Sequence, residues 1–444
     1  MGATKDLADF IISINYDELP IEIINEAKLC FLDWLGVTLA GAHDSEVNSL
    51  YEVIQLVGGT PQATIIGKNV KTSILNATLM NGMSSHIFDY DDTSVEFLGH
   101  ASVTIFPSIL ALSEWMGFNG KEFLTAYIVG FEIGSRIAMG ASANHMLKGW
   151  HATSTIGHFS STAASAKLLG LNLNQLIYAF GISGTQAAGL KAVFGTNCKP
   201  FHPGKAGFNG LLSALLAQRG FTSITNILEG EKCFWDVFSS SWNSKRALKD
   251  LGKKWYILNN NYKFHASCYY THSPIEATLA IKKEIKDLNP QDIENIQVKV
   301  SPIALENAII MNPKTGLEGK FSLPYTITNA ILRDDTGMKA FTDEKVNDAE
   351  IIRLSKKVEI INDPTLQGFN SIVRISIDGK YYEKHINILN LNLKYDDKKE
   401  VILKKFSELT EIHIQRKNVQ ELIKRIEIIE LEKNIADLIK LLIP

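Results

Sequence analysis

Residues 123–134 read Phe123-Leu124-Thr125-Ala126-Tyr127-Ile128-Val129-Gly130-Phe131-Glu132-Ile133-Gly134. Phe123, Tyr127, Gly130 and Gly134 recur at the spacing of one helical face, and the two glycines let a neighbouring helix come close. The same pattern spreads outward from this stretch. Ile24, Ala27, Phe31 and Leu35 share a face behind Pro20, a good first-turn residue, and Gly36 is expected to stop that helix. Segments 154–170 and 206–219 are rich in Ala, Ser, Gly and Leu, as tightly packed central helices are. An all-helical body is therefore expected up to about residue 255.

After residue 265 the texture changes. A helix from Pro274 carries Ala277, Ile281 and Ile285 on one side. Ile296, Val298 and Val300 then alternate with Gln297, Lys299 and Ser301, the period of a half-buried strand. Val373, Ile375 and Ile377 alternate with Arg374, Ser376 and Asp378, and Asp378-Gly379 followed by Lys380-Tyr381-Tyr382 predicts a β-hairpin. The tail, 396–442, returns to helical spacing, with Val419, Leu422, Ile426 and Ile429 on one stripe, and is expected to pack back on the helical body. The predicted fold is mainly α: a large all-helical domain, 1–264 with 393–444, and a smaller α+β lid domain, 265–392, inserted before the tail.

A chain of 444 residues exceeds what one hydrophobic core usually organises, which agrees with two domains. Hydrophobic residues make up 45% and charged residues 21%, the balance of a folded protein without long disordered linkers. A formal net charge of -3 gives no long-range attraction for nucleic acid or anionic lipid, so anion recognition must be local. The Met1 end lacks a basic stretch followed by an apolar core, and no apolar run approaches the ~18–20 residues of a membrane span. A cytoplasmic location is expected. Cys30, Cys198, Cys233 and Cys268 are scattered without a CxxC pair, and they read as free buried thiols rather than ligands of zinc or an iron–sulfur cluster.

Four polar clusters interrupt the apolar helical stretches. Asn81-Gly82-Met83-Ser84-Ser85-His86-Ile87-Phe88-Asp89-Tyr90-Asp91-Asp92-Thr93, with Gly99-His100 beyond it, sets three acids between two histidines. Such a cluster suits a carboxylate that orients an imidazole for proton transfer; a solvated loop or a metal site are the other readings. Gly149-Trp150-His151-Ala152-Thr153-Ser154-Thr155 puts a histidine just before a helix start, where it is either a cap or part of a carboxylate site. Gly195-Thr196-Asn197-Cys198-Lys199-Pro200-Phe201-His202-Pro203-Gly204-Lys205-Ala206-Gly207 is expected to form an irregular turn ahead of a small-residue helix, with Lys199, His202 and Lys205 projecting from it. A phosphate loop is excluded because Ala206 stands where GxxxxGK[ST] needs a hydroxyl. Tyr262-Lys263-Phe264-His265-Ala266-Ser267-Cys268-Tyr269-Tyr270-Thr271-His272-Ser273-Pro274 lies at the expected domain junction, where Lys263 is either a substrate grip or an exposed lysine.

Taken in order, these segments resemble the signature segments of the MmgE/PrpD family, over essentially the whole chain. Members of that family include 2-methylcitrate dehydratase, cis-aconitate decarboxylase and iminodisuccinate epimerase, typically homodimers that need no metal or cofactor. By resemblance to the decarboxylase, the catalytic set is Asp89, Thr93, His100, His151 and Tyr325 of FSLPY, with Lys199 and Lys263 binding substrate carboxylates. His202 and His272, from the same clusters, complete the substrate-binding set. Two departures bear on pocket shape: the Thr93–His100 loop is slightly longer than in the decarboxylase, and Ala101 follows His100 where the family usually has Pro. Dehydratase-branch members tend to lack the equivalents of His151 and Lys263, so the resemblance leans toward decarboxylation, with iminodisuccinate-type epimerisation or 2-methylcitrate dehydration the alternatives.

The resemblance implies a small polycarboxylic acid substrate and a lyase reaction in which negative charge builds on a carbon next to a carboxylate. Lys199 and Lys263 would neutralise that charge, His100 or His151 would move the proton, and Asp89 would hold His100 in the needed tautomer. Thr93 and Tyr325 would hydrogen-bond a carboxylate or donate a proton. Two other classes remain: a helical scaffold whose polar clusters face solvent separately, and a metal hydrolase built on Asp89, Asp91, Asp92 and the histidines. HExxH and comparable ligand spacings are absent, which counts against the second.

Overall fold

A helix of 21 residues, Ile21–Gly41, runs on from Pro20 straight through Gly36. The expected stop fails because the bare face of Gly36 is used for packing: a Cβ there would lie 3.0 Å from Cδ2 of Phe406, in the C-terminal tail. In this computed structural model residues 2–285, 288–333, 335–391 and 393–442 are described. The fold is mainly α with a smaller α/β region. The domain boundary expected at residue 392 falls outside the described residues. Among those described, no helix is long and apolar enough to cross a membrane.

The chain divides into two compact units, one made of Met1–Ile87, Asp91–Tyr262 and Tyr395–Pro444, the other of Phe88–Tyr90 and Lys263–Lys394. The longer helices of the first unit are α1 (Ala3–Ser13), α2 (Ile21–Gly41), α3 (Ser45–Val57), α4 (Ile74–His86), α5 (Ser102–Met116), α6 (Gly120–Ala141), α7 (Ala152–Leu168), α8 (Leu173–Gly184) and α9 (Cys198–Gln218). A short antiparallel pair, β1 (Ala63–Ile65) and β2 (Val70–Thr72), lies between α3 and α4 in the chain. Every residue of α7 except Lys167 is buried, so it has no polar side to show water. Its hydroxyls are satisfied along the helix and across to neighbours, as where Thr162 donates to the His158 carbonyl and Ser160 to that of Gly130. Gly130, picked out by its spacing, is where α6 meets α7: a Cβ there would lie 2.9 Å from that of Ala164.

In the second unit α10 (His272–Glu284) and α11 (Leu323–Leu332) cover one face of a four-stranded sheet. Its strands are β3 (Ile293–Val300), β4 (Val358–Asn362), β5 (Asn370–Ile377) and β6 (Lys380–Asn387), ordered β4-β3-β5-β6. β3 is parallel to β4 and antiparallel to β5. Ile296, Val298, Val300, Val373 and Ile375 are the buried alternate positions that meet the helices. Ile377 pairs with Lys380 across Asp378-Gly379, both with positive φ (51° and 71°), the two-residue turn that the Asp-Gly signal demands.

The tail helices α12 (Tyr395–Thr410) and α13 (Arg416–Glu427) rejoin the first unit, where Phe406, Val419, Leu422 and Ile426 enter its core. A buried ion pair, Lys405 Nζ to Asp33 Oδ1 at 2.7 Å, fastens α12 to α2. All four cysteines are free; Cys30, Cys233 and Cys268 are buried, whereas Cys198 is exposed because it opens α9 at the surface.

Candidate active site

The site begins with two glycines. A Cβ on Gly82 of α4 would lie 2.4 Å from Cα of Gly204 on α9, and one on Gly204 would lie 2.3 Å from the Leu79 carbonyl oxygen. Only bare backbone on both helices permits this crossing. The crossing brings the last residue of α4, His86, to the second residue of α9, Lys199, with Lys199 Nζ 2.9 Å from His86 Nε2. The irregular turn expected over 195–207 is instead helical from Cys198. Pro200 sits in the first turn, whose amides have no helical partner to lose, and Pro203 forfeits a single bond to the Lys199 carbonyl.

Asp91, wholly buried, stands between two imidazoles: Oδ1 lies 2.7 Å from His86 Nδ1 and Oδ2 2.9 Å from His100 Nδ1. Burial would raise its carboxyl, but the two imidazoles outweigh burial and hold it well below the usual range. His86 is pushed down to about 4, first by burial and then by Lys199, against the pull of Asp91. A neutral His86 therefore gives its Nδ1 proton to Asp91 and accepts from Lys199 at Nε2. His100 Nδ1 also lies 2.7 Å from the Asp92 main-chain oxygen. Two acceptors at Nδ1 fix its hydrogen there, so the neutral ring carries its lone pair on Nε2.

The segment before His100 is pinned along its length. Ser94 and Gly99 pair through their backbones, Thr93 Oγ1 donates to the Gly99 carbonyl, and the His100 amide donates to Thr153 Oγ1 at 3.1 Å. Thr93 itself pairs with Asn261 in both directions at 2.8 Å.

His151 is the residue immediately before α7, held there by its amide's bond to the Gly189 carbonyl and by pairing of Trp150 with Leu190. Its Nδ1 lies 2.9 Å from His202 Nδ1, so one ring must donate and the other accept. The His151 and His86 ring centres are 6.3 Å apart. Burial first, then Lys199, His202, His86 and His100, drive His151 well below the ordinary range, and His202 falls to about 4 through burial and Lys199. The first unit thus gathers His100, His151, Lys199 and His202 in one cluster, with the depressed imidazoles of His151 and His202 beside a lysine.

In the second unit Lys263 Nζ donates to the Asp89 carbonyl at 2.7 Å and pairs with its Oδ2 at 3.1 Å, both side chains being buried. Asp89 adopts φ 49°, a left-handed conformation that few residues besides Gly, Asn and Asp accept and that is often held at functional sites. His272, the first residue of α10, is buried 4.8 Å from the His265 ring, and burial drives it well below the ordinary range. The Tyr325 hydroxyl donates to the Ala340 carbonyl, and burial pushes it up to about 12.

Two family descriptions match the chain: MmgE/PrpD N-terminal domain over residues 5–247 and MmgE/PrpD C-terminal domain over 265–433. The chain belongs to the MmgE/PrpD family. Among curated relatives, the cis-aconitate decarboxylase of Aspergillus terreus (strain NIH 2624 / FGSC A1156) is 25% identical over 380 residues, covering 80% of this chain and 78% of its own length. The cis-aconitate decarboxylase-like protein oryM of Aspergillus oryzae is 27% identical over 302 residues, covering 64% of this chain and 63% of its own.

Within this MmgE/PrpD member, sequence spacing singled out neither His86 nor Asp91 as a working residue. Both lie in the first polar cluster, but three acids in four positions gave no sign of which one faces the imidazoles. In the first unit the Asp91 carboxylate faces His100 Nδ1 at 2.9 Å. His86, Asp91 and His100 also offer three ligand atoms within 4.8 Å of one another, a spacing suited to a divalent ion. Against that use, both Nδ1 atoms already face carboxylate or carbonyl oxygen, and Lys199 sets its own cationic group 2.9 Å from His86 Nε2.

Proposed function

We propose that this MmgE/PrpD protein is a metal-independent, cis-aconitate decarboxylase-like lyase that moves a proton at a carbon beside a carboxylate of a small di- or tricarboxylic acid. The observation that carries the reading is the Asp91 carboxylate spanning His86 and His100, with Lys199 on the far side of His86. That array can hold one imidazole in a fixed tautomer, present His100 Nε2 to a proton, and place a cation beside an anionic substrate.

In a decarboxylation, the carbon–carbon bond to the departing carboxylate breaks and its electron pair passes into the conjugated skeleton. A proton then enters at carbon, and carbon dioxide leaves. His100 in its protonated form supplies that proton, with Asp91 stabilising the imidazolium; such acid–base help is typically worth about 10²–10⁴-fold. Lys199 favours the charge-rich transition state, and the depressed His151–His202 pair lends a further proton carrier. Asp89, Lys263, Thr93 and Tyr325 enter this proposal through the resemblance, and His272 through its place in the fourth polar cluster.

Two distinct imidazoles, His100 and His151, would equally serve a two-base epimerisation, and incubation separates the readings. Purified protein is mixed with cis-aconitate, 2-methylcitrate and iminodisuccinate in deuterated water containing chelator and followed by proton NMR. The proposal expects itaconate carrying one solvent deuteron. Solvent exchange at an asymmetric carbon would move the assignment to an epimerase, alkene formation from 2-methylcitrate to a dehydratase. Activity abolished by chelator would overturn the metal-free step.

A further inference from the structure

His100 works only if its Nδ1 keeps a hydrogen, and of the two oxygens that face Nδ1, Asp91 Oδ2 at 2.9 Å and the main-chain oxygen of Asp92 at 2.7 Å, the second is the nearer. What fixes this oxygen is the side chain of the same residue. Asp92 is 1% exposed, and its Oδ2 accepts from Ser102 Oγ at 2.5 Å and from Asn260 Nδ2 at 2.7 Å. Ser102 opens α5 two positions beyond His100, so one residue grips the loop at both ends: carbonyl to imidazole, carboxyl to helix start. The grip continues through Ser102 Oγ, 2.7 Å from the hydroxyl of the buried Tyr127 in the core of α6. On the other side Asn260 is 2% exposed, and its neighbour Asn261 pairs in both directions with Thr93. Residues 92–93 are thereby tied to 260–261 as well as to 100–102.

We propose that Asp92 and Asn260 are positioning residues that set the tautomer and orientation of His100 without meeting the substrate. The inference rests on His100 being the proton carrier proposed above. A polar pair fully enclosed in a helical body needs such a reason, since buried polar groups cost stability, and Oδ1 of both Asp92 and Asn260 has no hydrogen-bond partner among the described residues. Here the bonds hold one acceptor opposite one imidazole nitrogen. Groups that orient a working side chain from behind typically affect activity by about 10–100-fold.

The test compares Asp92→Ala, Asp92→Asn and Asn260→Ala in the intact protein. Asp92→Asn is the conservative variant: its amide oxygen, in the place of Oδ2, still accepts from both Ser102 and Asn260. Histidine tautomers are read by ¹⁵N NMR on protein labelled at histidine, with the His100 signals assigned by their loss in His100→Gln. Asp92→Ala should convert the His100 Nδ1–H signal to a mixed or Nε2–H pattern and lower kcat by about 10–100-fold with KM within about twofold. Asp92→Asn should restore both, and Asn260→Ala should fall between, which keeps the question answerable if Asp92→Ala fails to fold. An unchanged His100 signal in folded Asp92→Ala or Asn260→Ala would overturn the inference, as would a loss of stability with kcat intact. If the signal shifts as expected while neither wild type nor variant turns over any acid, the positioning stands and the proposed reaction falls.

Discussion

The carboxylate of Asp91 meets His86 with one oxygen and His100 with the other, at 2.7 and 2.9 Å. A single buried charge therefore orders two imidazoles, and only a group with two equivalent acceptor oxygens can do so. Asp91→Asn keeps the shape but turns one acceptor into a donor facing an N–H, so one ring must switch tautomer. Turnover should fall by about 10²–10⁴-fold, with a smaller effect on KM. Steady-state kinetics on the acid turned over by the wild type decides it. A kcat within threefold of wild type would remove Asp91 from the proton-transfer array.

Lys199 lies 2.9 Å from His86 and helps to depress His86, His151 and His202. Lys199→Met removes that cation, so all three rings should titrate at higher pH. The acid limb of the kcat profile should move to higher pH, and KM for a polycarboxylate should rise by about 10–100-fold, the worth of a charge-assisted hydrogen bond. An unmoved acid limb would show that burial alone sets these rings.

The same electrostatics predict proton uptake on binding. The site holds neutral imidazoles because burial and a neighbouring lysine penalise further positive charge. An anionic substrate placed among them reverses the second penalty and lifts their pKa values. Calorimetric titration with a non-reacting tricarboxylate near pH 6.5 should give a binding enthalpy that varies with the ionisation enthalpy of the buffer. Identical enthalpies in phosphate and Tris would contradict it.

The Lys263–Asp89 pair asks for a different variant. With both side chains buried, Lys263→Ala would strand the Asp89 carboxylate and lower stability by about 3–5 kcal/mol, obscuring any kinetic effect. The double variant Lys263→Met with Asp89→Asn removes both charges together. It should unfold at a denaturant midpoint closer to wild type than Lys263→Ala does, and if Lys263 serves binding its KM rises while kcat changes less. A double variant as unstable as the single one would place the cost elsewhere than in the stranded charge.

The helical body, the strand alternation at 296–300 and the Asp-Gly hairpin were legible because each writes a local period or turn signal into the chain. Two of the misreadings share a cause. Gly36 does not stop its helix and Gly204 does not mark an irregular turn, since each glycine answers a packing partner far away in the chain, Phe406 in one case and Gly82 in the other. The polar clusters could be found by the cost of burying them, but the pairing of Asp91 with His86 and His100 depends on side-chain direction at the end of α4. Adjacent acids in a loop give no period from which to read that direction.

Stability should peak near neutrality, for reasons that can be signed group by group. His86, His145, His158, His202 and His413 are all depressed to about 4, mainly by burial. A histidine whose folded pKa lies below its unfolded 6.5 favours the unfolded chain as pH falls from 6.5 through 4; for fully buried His86 and His158 this is on the order of 3 kcal/mol each. Asp92 and Glu132 are raised to about 7, chiefly by burial, so what they contribute is complete below about pH 4 and is lost as pH rises through 7. From 6.5 down to 4 the two sets oppose, and the histidines outnumber the carboxyls. The urea midpoint should therefore fall steeply between pH 6.5 and 4.5, and more gently above 7. His158→Asn, a ring outside the Asp91 array that donates to the Ser154 carbonyl, should flatten the acid limb. A midpoint that holds level or rises on going from pH 6.5 to 4.5 would mean that these imidazoles are charged in the native protein, against the neutral cluster on which the proposed chemistry depends.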